Sequence, residues 1–243
     1  SHLHGDHFYG LIGLISTFRL FGRTAAVHVY GPKGIKEIIT FQLKLAKSWT
    51  DYPLHFHELE KDFSEIILEN DSVKVSTLPL DHRVYTNGFL FETKSSKRKI
   101  DLEALKEFDL LPFQFQQLQQ GSDIILDNGN VLKNETYTLP PSKSKKYAFC
   151  SDTAYLESLV ENIKEVDLLY HESTFLEKNS ELATKTKHST AKQAAQIAQK
   201  AEVKQLMLGH FSNRYPNKED FITEASTVFQ NVILAEDLKT FTI

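Results

Sequence analysis

At 243 residues, with 41% hydrophobic and 25% charged side chains, the chain is long enough for one large globular domain, or one domain carrying an insertion. Its formal net charge of −4 excludes a protein that binds nucleic acid over its whole surface, while leaving room for a local basic arm. The apolar runs are too short to span a membrane, residues 1–25 do not read as a secretory leader, and the single Cys150 rules out an internal disulfide and fits a reducing, cytoplasmic setting.

Residues 1–7 are polar and read as a loop, and the apolar stretch 8–21 then predicts a helix. Residues 25–31 predict a strand. Pro32 and Gly34 open a helix reaching about Trp49, with Ile35, Ile38, Ile39, Leu43 and Leu45 roughly on one side. Extended segments follow over 54–59 and 65–80, broken by a turn at Asn70-Asp71-Ser72, and another strand covers 88–93. Residues 94–146 differ in character. Lys94, Lys97, Arg98 and Lys99 open this segment and Lys143, Lys145 and Lys146 close it. Between them lie a short helix (101–108), a Gln-rich stretch (114–120) and a hairpin signal at Asp127-Asn128-Gly129-Asn130. The expected organisation is a main domain over 1–93 and 147–243, with 94–146 as a small base-flanked insertion; ordinary solvated lysines are the plainer account of those charges. Regular alternation then resumes. Strands over 145–152, 166–173 and 204–210 end on Asp152, His171-Glu172 and His210. Helices cover 190–201, with Ser189 or Thr190 as N-cap, and about 217–229, and short strands close the chain. Strand–helix alternation with polar strand ends predicts an α/β sheet carrying its site along one edge.

The densest chemistry lies at the start, where His2, His4, Asp6 and His7 fall within six residues. Three imidazoles and a carboxylate so close would crowd a single ion. They suit two, with His2 and His4 on one and Asp6 and His7 on the other, and imidazole–carboxylate sets favour zinc, with manganese as the alternative. His82, Asp152 and His210, each at a strand end, can complete two shells, and the two oxygens of Asp152 can bridge them. A pair of metals would neutralise charge on a phosphoryl displacement. His28, His55 and His57 have no such setting and read as structural or surface residues.

His2-x-His4-x-Asp6-His7-x-x-Gly10-Leu11 resembles the signature of the metallo-β-lactamase superfamily. Four later segments narrow the resemblance to the ribonuclease Z family of tRNA 3′-processing endonucleases. They are Tyr30-Gly31-Pro32-Lys33-Gly34-Ile35, His171-Glu172-Ser173-Thr174, His188-Ser189-Thr190 and the run from Gly209 to Tyr215. The resemblance implies an αββα sandwich. It places His2, His4 and His82 on one zinc, Asp6, His7 and His210 on a second, and Asp152 between them. It makes Asp6 a general base and Glu172 with His188 a proton relay to the leaving 3′ oxygen; the plainer role for Glu172 is to orient a metal ligand. It also implies that 94–146 is an arm gripping tRNA through lysines such as Lys97, Arg98 and Lys99, that Arg214 and Tyr215 hold substrate phosphate, and that the protein is a homodimer.

Some features depart from the family pattern. The family's first strands and a Gly-rich turn precede the histidine cluster, so the natural protein is expected to be longer, with N-terminal strands of the sandwich missing from this chain. Ser151 replaces a glycine, Ile12 a proline, and Leu111-Pro112-Phe113-Gln114 lacks the usual Gly-Pro tip of the arm. The expected activity is hydrolysis of precursor tRNA to leave a 3′-hydroxyl. The rivals are a hydrolase of small phosphodiesters on the same fold and a non-catalytic truncated binding subunit.

Overall fold

The computed structural model describes all residues from Ser1 to Ile243. In chain order the first elements are α1 (Gly5–Leu20), β1 (Val27–Pro32), α2 (Ile35–Leu45), β2 (Leu54–Leu59), β3 (Ile66–Glu69), β4 (Val73–Leu80) and β5 (Thr86–Thr93). Next come the short elements β6 (Lys99–Ile100), α3 (Leu102–Leu105), α4 (Pro112–Gln119), β7 (Ile124–Ile125), β8 (Val131–Leu132), α5 (Asn134–Tyr137) and β9 (Thr138–Leu139). The last part holds β10 (Lys146–Cys150), α6 (Leu159–Asn162), β11 (Leu168–Glu172), α7 (Ser180–Thr186), α8 (Ala191–Lys200), β12 (Leu206–Gly209), α9 (Glu219–Ala225) and β13 (Val232–Leu234). No helix is long and apolar enough to cross a membrane.

The chain forms two compact units. One comprises Ser1–Ile67, Val75–Phe91 and Lys146–Ile243, and the other comprises Leu68–Lys74 and Glu92–Lys145. The second unit thus includes the β3–β4 turn besides the expected insertion. Lys94 explains this: its N–H donates to the Ser72 carbonyl at 2.8 Å and its ammonium pairs with Glu69, also at 2.8 Å.

Seven strands form the large sheet in the order β13-β12-β11-β10-β5-β4-β3. From β10 to β13 neighbouring strands run parallel, with α6, α7 and α8, then α9 in the connections. Parallel strands require such crossovers. Cys150 is in register with His171 and Glu172 with Gly209, so β10, β11 and β12 all end at one edge. The residues just beyond those ends meet there, as open α/β sheets arrange their sites. The face of α8 against the sheet is almost all alanine: Ala191, Ala194, Ala195 and Ala198 are buried with Ile197. Small side chains let this helix approach Leu169, Leu206 and Leu208 closely. Burying an isoleucine such as Ile197 contributes about 2–3 kcal/mol.

A smaller parallel pair, β1 and β2, packs with α1 and α2 around Ile15, Val29, Ile35, Ile39, Leu43 and Tyr52. Here the structure corrects the loop expected over 1–7. Helix α1 begins at Gly5, with His4 in extended conformation as its N-cap. No side chain caps this end, so nothing in the sequence marks it. Asp6 in the first turn is favoured by the positive end of the helix dipole.

The second unit has its own core of Leu105, Leu110, Leu118, Ile124 and Leu132. The hairpin signal at 127–130 joins β7 to β8, with Ile124 opposite Leu132. The Gln-rich stretch is α4, begun by Pro112 and closed by Gln114 Oε1 accepting from Leu111 N–H at 2.8 Å.

Candidate metal centre

Seven donors converge at that sheet edge. His2 and His4 precede α1, Asp6 and His7 lie in its first turn, and His82, Asp152 and His210 follow β4, β10 and β12. The donor atoms of His2, His4, His82 and Asp152 lie within 4.8 Å of one another, as do those of Asp6, His7 and His210. Asp152 stands between the two groups. Its Oδ2 lies 3.6 Å from His2 Nε2 and 3.8 Å from His82 Nε2, and its Oδ1 lies 3.4 Å from His7 Nε2 and 3.3 Å from His210 Nε2.

The donor set itself tests whether cations fit. His4 Nδ1 lies 3.0 Å from His2 Nε2 and 3.4 Å from His82 Nε2. Three ring nitrogens pointed at one spot repel as lone pairs unless protons or a cation sit among them. The charged, doubly protonated ring is disfavoured at His2, His7 and His82. Burial, outweighing the pull of Asp152, pushes His2 down to about 3, and burial likewise lowers His7 and His82. Asp152 stays ionised: burial alone would raise it, but His210, His7, the Ser151 hydroxyl and His2 together hold it below the usual carboxylate range. Neutral imidazoles around a carboxylate suit divalent cations.

Hydrogen bonds behind the donors orient them. His82 Nδ1 donates to the Lys187 carbonyl at 2.8 Å, which leaves Nε2 facing the cluster. Thr174 Oγ1 donates to Glu172 Oε2 at 2.7 Å and can therefore accept from His210 Nδ1 at 2.8 Å. These tautomers are assigned from the bonding network. Three residues here hold left-handed backbone without being glycine: Asp152 (φ 56°), Lys187 (φ 59°) and His210 (φ 58°). Gly209 supplies a further constraint, since any Cβ there would collide with the Tyr170 ring.

Glu172 and His188 form a second arrangement. Glu172 is fully buried and accepts from the backbone N–H groups of Thr153 and Thr174, both at 3.0 Å, and from His188 Nδ1 at 2.7 Å. Those bonds satisfy a carboxylate that would otherwise be costly to bury. Burial works to lower His188, but the hydrogen bond and charge of Glu172 outweigh it and the imidazole is raised. His188 also shares a donor group with Asp152 and His210, so its free edge faces the cluster. Cavities of about 570 Å³ beside His2, Asp6 and His7, and about 440 Å³ beside His210, open onto the centre.

The remaining site expectations fall elsewhere. Arg214 is exposed, with its guanidinium 5.4 Å from the centre of the Phe175 ring. Tyr215, expected to hold substrate phosphate, lines the cavity beside His210 but is largely buried. It is 7% exposed, its hydroxyl donates to Asn179 Oδ1 at 2.6 Å and accepts from Leu176 N–H at 3.2 Å, and its ring packs on Phe221. Lys97 and Lys99 are exposed in the second unit, while Arg98 spends its Nε–H on Thr138 Oγ1 at 2.7 Å. His28, His55 and His57 lie outside the cluster as a ring stack on β1 and β2, with His28 Nδ1 2.9 Å from His57 Nε2. Thr174 and Lys187 were missed as site residues. Thr174 sits inside a motif that pointed to its neighbours, and Lys187 carries no signal of its own.

Residues 107–211 match the Beta-lactamase superfamily domain. Over 239 residues the chain is 48% identical to Ribonuclease Z of Cytophaga hutchinsonii, spanning 98% of this chain and 76% of that protein. It is 42% identical over 243 residues to Ribonuclease Z of Bacteroides thetaiotaomicron, spanning 100% of this chain and 77% of that one. Among solved structures, the short form of human tRNase Z is similar in fold, with a TM-score of 0.67 at 24% identity over 100% of this chain and 77% of its own.

Proposed function

The chain belongs to the ribonuclease Z family and has its α/β metallo-β-lactamase fold, and from that premise we propose that it is an endoribonuclease that removes the 3′ trailer of precursor tRNA. Water attacks the phosphorus, the bond to the ribose 3′ oxygen breaks, the tRNA keeps a 3′-hydroxyl and the phosphate leaves on the trailer. The observation that carries this reading is the division of the Asp152 oxygens between two imidazole groups, with Glu172–His188 beside them.

We assign His2, His4, His82 and Asp152 to one zinc ion, and Asp6, His7, His210 and Asp152 to a second. Cations held there would offset negative charge on the reacting phosphodiester, an effect worth several kcal/mol. The protein groups handle the protons. The Asp6 side chain, 76% exposed at the helix start, is placed to accept a proton from the attacking water. His188, whose pKa the hydrogen bond and charge of Glu172 raise against burial, is placed to protonate the departing 3′ oxygen. Arg214 would steady a substrate phosphate at the rim. The second unit, with Lys97 and Lys99 exposed, would hold the body of the tRNA. Precursor tRNA as substrate and a buried free thiol at Cys150 both suit a reducing, cytoplasmic setting. A homodimer belongs to the same reading, and sedimentation at working concentration tests it.

The deciding experiment incubates the purified chain with precursor tRNA, with and without a chelator, and maps the product ends. Metal-dependent cleavage giving a 3′-hydroxyl on the tRNA is expected. Turnover of small phosphodiesters without tRNA cleavage would favour the rival hydrolase, and elemental analysis finding no zinc in the protein would sink the metal assignment.

A further inference from the structure

Lys187 sits in the turn before α8 and joins two functional histidines. It immediately precedes His188, and its carbonyl accepts from His82 Nδ1 at 2.8 Å. That bond fixes the His82 tautomer, leaving Nε2 3.4 Å from His4 Nδ1 and 3.8 Å from Asp152 Oδ2. The Lys187 ammonium lies 2.7 and 3.0 Å from the two carboxylate oxygens of Asp81, the residue just before His82. Asp81 is tied in turn to the loop beyond Asp152. Its N–H donates to Thr153 Oγ1 at 3.1 Å and its carbonyl accepts from Ala154 N–H at 2.8 Å. The strand-end loops bearing His82 and Asp152 and the turn bearing His188 are therefore fastened at one point.

The side chains of this pair are 43% and 40% exposed. An isolated pair that open to water contributes little to stability. Its location matters more, because the two charges close a ring running through Lys187, its own carbonyl, His82 and Asp81. The left-handed backbone at Lys187 is part of that ring.

We propose that the Asp81–Lys187 ion pair is a positioning clasp that aims His82 at its metal and holds the His188 turn in register with it. Neither residue is assigned a contact with substrate. The inference rests on the metal assignment made above for His2, His4, His82 and Asp152, and not on the identity of the RNA.

Lys187→Asn, Asp81→Asn and Lys187→Arg test it. Asparagine tolerates left-handed backbone and keeps the carbonyl, so Lys187→Asn removes only the ammonium. Zinc affinity is measured by competition with a chromophoric chelator, alongside melting of the metal-free protein and kcat and KM on precursor tRNA. Lys187→Asn and Asp81→Asn should each weaken zinc binding about tenfold, the lower end for groups that orient a ligand. Each should lower kcat by a similar factor with KM little changed. Their double variant should lose no more than either single one, as coupled partners do, and Lys187→Arg should recover most of both losses. Added salt should weaken zinc binding more in the native protein than in Asp81→Asn. Zinc affinity unchanged in both asparagine variants would overturn the clasp. So would a Lys187→Arg protein as defective as Lys187→Asn, or losses that follow the melting temperature alone. Native protein that binds zinc but leaves precursor tRNA intact would sink the substrate reading, while the zinc competition still decides the clasp.

Discussion

Asp152 carries more of the proposed chemistry than any other side chain, because one buried carboxylate faces both imidazole groups. Asp152→Asn keeps its shape but puts an amide NH₂ against one group. Bound metal should fall measurably by elemental analysis, and precursor cleavage should drop by about 10³-fold or more, given several kcal/mol of lost charge complementarity at 1.4 kcal/mol per factor of ten. Glu172→Gln probes a different step. The cationic, acid form of His188 is present below its folded pKa and lost as pH rises through it. Glu172 raises that pKa against the opposing effect of burial. Removing its charge leaves burial unopposed, so the alkaline limb of the kcat profile should move to lower pH. Activity near neutrality should fall by about 10²-fold, and an unmoved alkaline limb would rule His188 out as the acid. The same linkage gives the sign for stability. The His188 contribution is complete below the unfolded value of about 6.5 and fades as pH climbs through the raised folded one. At Tyr215 the buried hydroxyl predicts the opposite of an active-site effect. Tyr215→Phe should leave tRNA affinity unchanged in a filter-binding assay and cost about 1 kcal/mol of stability.

Among the elements, α8 shows how local chemistry supports the site. Thr190 Oγ1 accepts from Gln193 N–H at 3.1 Å, and Gln193 Oε1 accepts from Thr190 N–H at 2.9 Å, a reciprocal cap directly after His188-Ser189. Thr190→Ala should cost about 1 kcal/mol, or roughly 2–4 °C in melting temperature for a chain of this size, read by calorimetry. This cap was legible in the sequence, as were the strands ending near Asp152, Glu172 and His210, because threonine caps and polar strand ends have local signatures. The start of α1 was not. Its N-cap is His4, its first turn holds Gly5, Asp6 and His7, and polarity alone made those residues look like loop. The burial of Tyr215 was hidden for a related reason. Its motif neighbours are exposed, and only the packing of α9 through Phe221 reveals that its ring turns inward. Lys187 was invisible because its role depends on a carbonyl and on Asp81, 106 residues away.

In the molecule as a whole, the second unit leaves and rejoins the chain at one place. Thr93 N–H donates to the Lys145 carbonyl at 2.9 Å, and Lys145 N–H donates to Thr93 Oγ1 at 2.8 Å. Replacing 95–144 by a short Gly-Ser link should therefore leave the first unit folded and its zinc content intact. Small phosphodiesters should still turn over while precursor tRNA cleavage is lost. Unchanged tRNA cleavage would remove that unit from the substrate reading. Several of its cations are already paired with carboxylates: Lys133 with Asp123, Lys106 with Glu103 and Lys94 with Glu69. If this unit holds tRNA as proposed, the net pull on phosphates would fall to a few residues such as Lys97, Arg98, Lys99 and Lys143, and the salt slope of binding should be correspondingly shallow.

The left-handed backbone at Asp152, Lys187 and His210 has a consequence for adaptation. Each such turn by a non-glycine residue costs about 1 kcal/mol or more, a strain that glycine would relieve while giving the unfolded chain more freedom. At 152 and 210 that change would delete a donor of the proposed metal assignment, and at 187 it would cut the tie to Asp81. Under the proposed assignment, changes that stabilise the protein without loss of activity are expected in packing away from these three turns.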